Sequence, residues 1–188
     1  MPNLTPITAL GGQAAQVDTI GGVTLSENPG LALASVMARM GQEGSCRQHL
    51  ADLLGQDAPG PGKCCLHDPE AAFWMGPDQW MVGAPFGTHE DLAAQLKARF
   101  GDSASITEQT DAWACFDLRG DGIEAVMELS CGIDMRSMKT GDAQRASIHH
   151  LGCFVLRRDP SNWVRILGPR SSAGSLHHAL VTAMGSAL

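Results

Sequence analysis

Pro77 followed three residues later by Trp80 returns as Pro160 and Trp163, each pair inside an apolar strand-turn-strand stretch that leads through a second proline (Pro85, Pro169) to a short helix-patterned segment. In the first copy, "FWMGPDQWMVGAP", the Gly-Pro-Asp-Gln centre has type I turn chemistry and the flanking residues have strand propensity. Upstream of each copy lies a strand-Gly-helix element, "VMARMGQEGSCRQHLADLLG" before the first and "CFDLRGDGIEAVMELSCG" before the second. A chain that reads β-α-β-β-α twice over folds most simply as α+β: two interleaved ferredoxin-like units on mainly antiparallel sheet. The repeat makes Trp80 and Trp163 equivalent second-strand packing residues, mostly buried.

The elements follow from periodicity. Leu31, Leu33, Ser35 and Met37 share one side of a strand, and Cys46, Leu50, Leu53 and Leu54 recur at helical spacing up to Gly55. After the Pro/Gly loop Gly55 to Gly62 and the first hairpin, Leu92, Leu96 and Phe100 mark a helix face, with Thr88 and Asp91 resembling the start of a capping box. Ala112, Ala114, Phe116 and Leu118 alternate as a strand, and Ile123, Val126, Met127 and Cys131 give a short helical face ended by Gly132. A loop "IDMRSMKTGDAQ" precedes a long strand that includes His149-His150, a turn at Asp159-Pro160-Ser161-Asn162, a second strand, and a last helix with Leu176, Ala179, Leu180 and Met184. Ser103 to Thr110 and Val23 to Leu25 supply closing strands. Residues 1–22, rich in Gly and Ala without a durable period, read as an extended N-terminal tail. The domain organisation expected is therefore that tail and one domain, 23–188, of two similar halves, about 23–110 and 111–188.

Composition removes several function classes. A net charge of −7, with 13 Lys plus Arg and no basic block beyond Arg157-Arg158, disfavours nucleic acid. The first residues lack a basic region followed by an apolar one, and no window approaches the roughly 20 apolar residues of a membrane span; a cytoplasmic location is expected. Six cysteines in a chain with 44% hydrophobic residues read as reduced core residues rather than a disulfide framework.

Candidate sites weigh little. Cys64, Cys65 and His67 crowd together, but Cys-Cys lacks the two-residue gap through which one zinc takes both thiolates, and no second Cys or His pair follows. His149 and His150 on a strand would point to opposite faces, and His177 and His178 lie about 100° apart on a helix. "SSAGSLHH" is a helix start rather than a nucleophile turn, and the glycines of "GGQAAQVDTIGG" do not open a helix after a strand. Asp121, Glu124 and Glu128 read as a solvated face. No catalytic, cofactor-binding or metal-ligating residue is assigned.

The segment "DAWACFDLRGDGIEAVMELSCGIDMRSMKTGDAQRASIHHLGCFVLRRDPSNWVRILGPRSSAGSLHHAL" resembles the folate-binding fold of the glycine-cleavage aminomethyltransferases. With "ARMGQEGSCRQHLADLLGQDAPGPG" and "FWMGPDQWMVGAP" added, the chain after residue 22 is similar to the gamma subunits of heterotetrameric sarcosine oxidases. The resemblance implies a non-catalytic subunit stabilising a flavoprotein assembly with alpha, beta and delta subunits, the large alpha subunit being its direct partner. That complex demethylates sarcosine to glycine and passes the one-carbon unit to tetrahydrofolate, with FAD, FMN, NAD and tetrahydrofolate all on other subunits. The aminomethyltransferases carry an acidic pair just after a Gly-Gly on the strand before the hairpin; the matching place here is Gly152-Cys153-Phe154-Val155-Leu156, with no acid. Phe or Val cannot replace a carboxylate that handles a proton or stabilises a cation. Their Gly-Tyr-Thr-Gly-Glu segment is absent too, in a chain with no tyrosine. The other reading is a stand-alone folate-binding relative of those enzymes; a third is a metal-binding regulator using the Cys64 to His67 cluster. For the subunit, the expected interface is the tail 1–22 and the loop with Met135, Arg136, Met138 and Arg145, since Met and Arg are favoured at interface centres.

Overall fold

A computed structural model describes residues 5–67, 69–159 and 162–188, with Asp159 described through its backbone alone. Taken over described residues, the chain forms two compact units: a terminal unit, made of the residues up to Pro29 with Ala112–Thr140 and Gln144–Leu188, and an inserted unit, Gly30–Asp111 with Gly141–Ala143. The opening residues thus group with the later part of the chain, from Ala112 on, rather than with the residues that follow them directly.

The terminal unit starts with a hairpin, β1 (Val17–Ile20) and β2 (Val23–Glu27), turned at Gly21-Gly22, where both φ values are positive (53° and 85°) and glycine is the residue that adopts them without steric cost. Strand β1 thus falls inside the segment expected as an extended tail; residues 1–4 lie outside the described residues. The buried carboxylate of Glu27 accepts the backbone N–H groups of Leu10 (2.9 Å) and Gln16 (3.2 Å), and Asp18 on β1 meets His177 at 2.7 Å. Main-chain bonds and one buried acid hold this segment, and neither leaves a hydrophobic period to read.

The inserted unit runs β3 (Leu31–Ala38), α1 (Glu43–Leu54), β4 (Cys64–Cys65), β5 (Ala71–Gly76), β6 (Gln79–Pro85), α2 (Leu92–Phe100) and β7 (Ala104–Glu108), with sheet order β4-β5-β6-β3-β7 and antiparallel registers throughout. Its core takes Ala32, Ala34 and Val36 from β3, Trp80 and Val82 from β6, and the apolar faces of both helices. The face of β3 that carries Leu33 and Ser35 is therefore the one turned away from the helices. Both helix faces fall where the spacing puts them: Cys46, Leu50, Leu53 and Leu54 on α1, Leu92, Leu96 and Phe100 on α2. Neither helix has a side-chain cap. A cap is worth about 1 kcal/mol, whereas each buried Leu contributes about 2 kcal/mol, so burial sets their position. The capping box expected at Thr88 is not formed: α2 starts after Asp91, and Thr88 Oγ1 donates to Pro85 O (3.3 Å). The Pro77-Asp78 turn is not type I either, because Asp78 has φ 53°, a left-handed value that a type I turn lacks.

The terminal unit then continues with β8 (Trp113–Gly120), α3 (Ile123–Ser130), β9 (Ala143–Ile148, in this unit from Gln144), β10 (Leu151–Asp159), β11 (Trp163–Pro169) and α4 (Ala173–Ala187), giving the sheet order β1-β2-β8-β11-β10-β9. Val23, Leu25, Phe116, Leu118, Val155, Val164 and Ile166 face α3 and α4 across one core. The fold is α+β with mainly antiparallel sheet, as expected; beyond the expected strands the inserted unit has β4, and the terminal unit has β1 and, separated from the expected long strand, β9. His149 and His150 are not strand residues: they form the two-residue turn between β9 and β10, with φ 47° and 67°. Of the turn expected at 159–162, Pro160 and Ser161 lie outside the described residues.

The two tryptophans are not equivalent. β6 pairs with β3 through Trp80↔Val36 and Pro85↔Leu31, and β11 pairs with β8 through Val164↔Leu118 and Pro169↔Trp113. Counted back from the closing proline, Trp80 therefore matches Val164, and the second hairpin has one more residue in its turn. Because strand side chains alternate, that residue sends Trp163 to the other face. Trp80 is fully buried in its unit's core, donating from Nε1 to Pro59 O (2.8 Å), and Trp163 is half-buried on the face turned away from the helices.

Candidate functional site

On β8, Phe116 and Leu118 point into the core and Asp117 points the other way, yet Asp117 is only 5% exposed. A carboxylate in such a place must be paired and hydrogen-bonded. The register puts Arg165 of β11 directly opposite it. Arg165 Nε donates to Oδ1 at 2.7 Å and Nη2 to Oδ2 at 2.8 Å; Trp163 Nε1 donates to Oδ1 and Asn28 Nδ2 to Oδ2, both at 3.1 Å. Burial by itself would raise the Asp117 carboxyl, but the bonds and charge of Arg165, with Trp163 and Asn28, overcome it and hold the group below its ordinary value. Burial likewise works against the Arg165 charge, and Asp117 more than restores it.

Trp163 in this network is surrounded by guanidinium groups. Arg119, its cross-strand partner on β8, lies with Cζ 3.7 Å from the ring centroid, Arg158 at 4.5 Å and Arg165 at 5.8 Å. Three cations and one carboxylate thus share an indole in a chain of net charge −7. Sequence reasoning missed this cluster because its members are far apart in the chain. The signal available was Asp117 and Arg165 at alternate positions of two strands that the repeat pairs.

The residues expected at an interface separate into two kinds. Met135 (1% exposed) and Met138 (4%) belong to the core of the terminal unit, which corrects their assignment to a surface. After α3, Ile133, Met135 and Met138 turn inward into that core, where flexible thioethers adapt to irregular space. Arg136 is exposed and pairs with Glu128 at 2.8 Å; Arg145 is exposed, its Cζ 5.6 Å from the Phe154 ring centroid. Glu124 reaches back to the buried Arg157 at 3.1 Å, so the acids of α3 are partnered rather than simply solvated.

Cys64 and Cys65 sit at successive positions of β4, both buried, Cys65 in the helix-side core and Cys64 with Sγ 3.7 Å from Asp142 O. Among the described residues no group of three or more His, Cys, Asp or Glu is arranged to hold a metal ion, and no helix is long and apolar enough to cross a membrane. On β10, at the place where the aminomethyltransferases carry acids, Cys153, Phe154, Val155 and Leu156 are all buried apolar side chains. The residues present there offer tetrahydrofolate no carboxylate. A cavity of about 630 Å³ in the terminal unit is lined by Leu129, Ser147, His149, His150 and His178 among others.

No family model matches the chain. It is 27% identical over 185 residues to the sarcosine oxidase subunit gamma of Corynebacterium sp. (strain P-1), an alignment that spans 96% of this chain and 89% of that one. This bears out the resemblance to gamma subunits. Among solved structures it is similar to a chain of the heterotetrameric sarcosine oxidase from Corynebacterium sp. U-96 in complex with pyrrole 2-carboxylate, with a TM-score of 0.77, 23% identity, and coverage of 91% of this chain and 88% of that one. It is also similar to the glycine cleavage system aminomethyltransferase T from Bartonella henselae, with a TM-score of 0.63, 15% identity, and coverage of 87% and 46%. Both likenesses bear out the fold.

Proposed function

We propose that this chain is the gamma subunit of a heterotetrameric sarcosine oxidase, a cytoplasmic complex with alpha, beta and delta subunits, in which it supports the assembly rather than the chemistry. The observation that carries the reading is the 27% identity to a sarcosine oxidase gamma subunit along 96% of the chain. The structural role is supported by what stands on β10: buried Phe154 and Val155 where an aminomethyl transfer needs an acid. In this reading the FAD, FMN, NAD and tetrahydrofolate sites lie on partner subunits, sarcosine is oxidatively demethylated there, and this chain meets the large alpha subunit directly.

The test is co-expression of the tagged chain with the other three subunits. A four-chain assembly with a flavin absorption band, sarcosine-dependent turnover that falls when this chain is left out, and a colourless isolated chain are expected. Elution of the chain alone, or flavin on the isolated chain, would overturn the proposal. Titration of the isolated chain with tetrahydrofolate is expected to give no saturable binding.

A further inference from the structure

The Arg119–Trp163 stack has a property that the rest of the cluster lacks. Both oxygens of Asp117 are already taken, Oδ1 by Arg165 and Trp163 and Oδ2 by Arg165 and Asn28, so that carboxylate has nothing left to offer a second guanidinium. Arg119 sits at the exposed end of β8, and its side chain makes no ion pair among the described residues. It does not wave freely in water either. With Cζ 3.7 Å from the ring centroid the guanidinium rests on the indole, and Trp163 is itself fixed by its Nε1 bond to Asp117 (3.1 Å). A guanidinium that spends its face on an aromatic ring keeps its N–H edges for a planar acceptor, and immobilising it in advance removes part of the entropy cost of binding. The acceptor that fits two parallel N–H groups is a carboxylate or a phosphate.

Charge decides between their sources. A nucleic acid or other polyanion needs several open cations in a row, and a chain of net charge −7 repels it. One prepared fork beside a half-buried Trp is instead the composition of an interface anchor, since Trp and Arg dominate binding energy where proteins meet. We infer that Arg119, held over the ring of Trp163, takes the carboxylate of an Asp or Glu side chain on a protein partner. The partner's identity rests on the subunit reading above; the recognition chemistry does not.

Arg119→Ala, Arg119→Lys and Arg119→Glu in the full chain, co-expressed with the alpha, beta and delta subunits, test it, with thermal melts as the folding control. Arg119→Ala is expected to weaken association by about tenfold or more, Arg119→Glu further, and Arg119→Lys in between because it keeps the charge and loses the fork. Assembly that persists unchanged with Arg119→Ala and Arg119→Glu overturns the inference and leaves the subunit reading intact. If the wild-type chain itself fails to assemble, the subunit reading falls, and hexaglutamate peptide decides the inference on the isolated chain. Tryptophan fluorescence that responds to the peptide at low salt, and no longer does so in Arg119→Ala or Trp163→Phe, upholds it; no response overturns it. Inorganic phosphate competing as well as the peptide would mark a small-anion site and overturn docking of a protein.

Discussion

Arg165 grips Asp117 through two parallel bonds, Nε to Oδ1 at 2.7 Å and Nη2 to Oδ2 at 2.8 Å, across the β8–β11 register. With both groups largely out of water, removing one partner strands the other. Asp117→Ala is expected to cost about 3–5 kcal/mol, read as a shift of the urea midpoint, whereas replacing both residues by Leu recovers much of the loss. The pH dependence follows from the direction of the shift. The folded carboxyl lies below its ordinary 3.8, so its contribution is fully present above that value and is lost as pH falls through the lower folded one. Asp117→Asn is expected to flatten the stability profile below about pH 4 and leave its shape near neutrality unchanged.

Met138 and Arg136, two residues apart in one loop, are expected to respond oppositely to the same substitution. Met138→Glu places a carboxylate in the apolar core of the terminal unit and should unfold the chain or cost several kcal/mol. Arg136→Glu sets two acids side by side at the exposed Glu128 and should cost less than about 1 kcal/mol. Thermal melts of the two single variants check this. Equal, small effects would return Met138 to the surface.

The His149-His150 turn holds two non-glycine residues at φ 47° and 67°. Each pays about 1 kcal/mol or more for a left-handed conformation. Replacing the pair by Asn-Gly, the sequence such two-residue hairpin turns prefer, is expected to raise stability by about 1 kcal/mol or more in chemical denaturation. A loss of stability would mean that the two rings contribute contacts that outweigh the strain.

Thiol reactivity is expected to rank with burial. Burial pushes the Cys115 thiol up to about 12 and those of Cys46 and Cys153 to about 11, and raises Cys65 and Cys131 as well. Cys131 differs from the other five in being only partly buried. Alkylation of the native chain near pH 8, followed by peptide mass spectrometry, should label Cys131 first and Cys115 last, because the thiolate is the reacting species. Rapid labelling of Cys115 before unfolding would contradict the buried β8 placement.

Elements whose information is local were legible in the sequence. The α1 face ending at Gly55, the α2 face, the strand-turn-strand hairpins and the twofold repeat of strand and helix all follow from spacing along a single segment, and the structure keeps them. Strand β1 was not legible, because an edge strand held by main-chain bonds and preceded by a segment fixed on Glu27 needs no apolar period. Nor was the inward turn of Met135 and Met138: a loop has no period from which to read an inside.

Sequence by itself determined most of the segments that become strands and helices, with β1, β4 and the break between β9 and β10 excepted, and that a similar run of elements occurs twice. Tertiary structure decided which face each residue serves. Trp80 and Trp163 share a three-residue spacing from a proline, but one extra turn residue places Trp80 in an apolar core and Trp163 against Asp117, Arg119 and Arg165. Side chains alternate along a strand with period two, so a shift of one residue, invisible in a pattern of similar residues, exchanges the buried face for the polar one. The cluster from which a partner surface is inferred exists only because pairing β8 with β11 brings together residues about 46 positions apart.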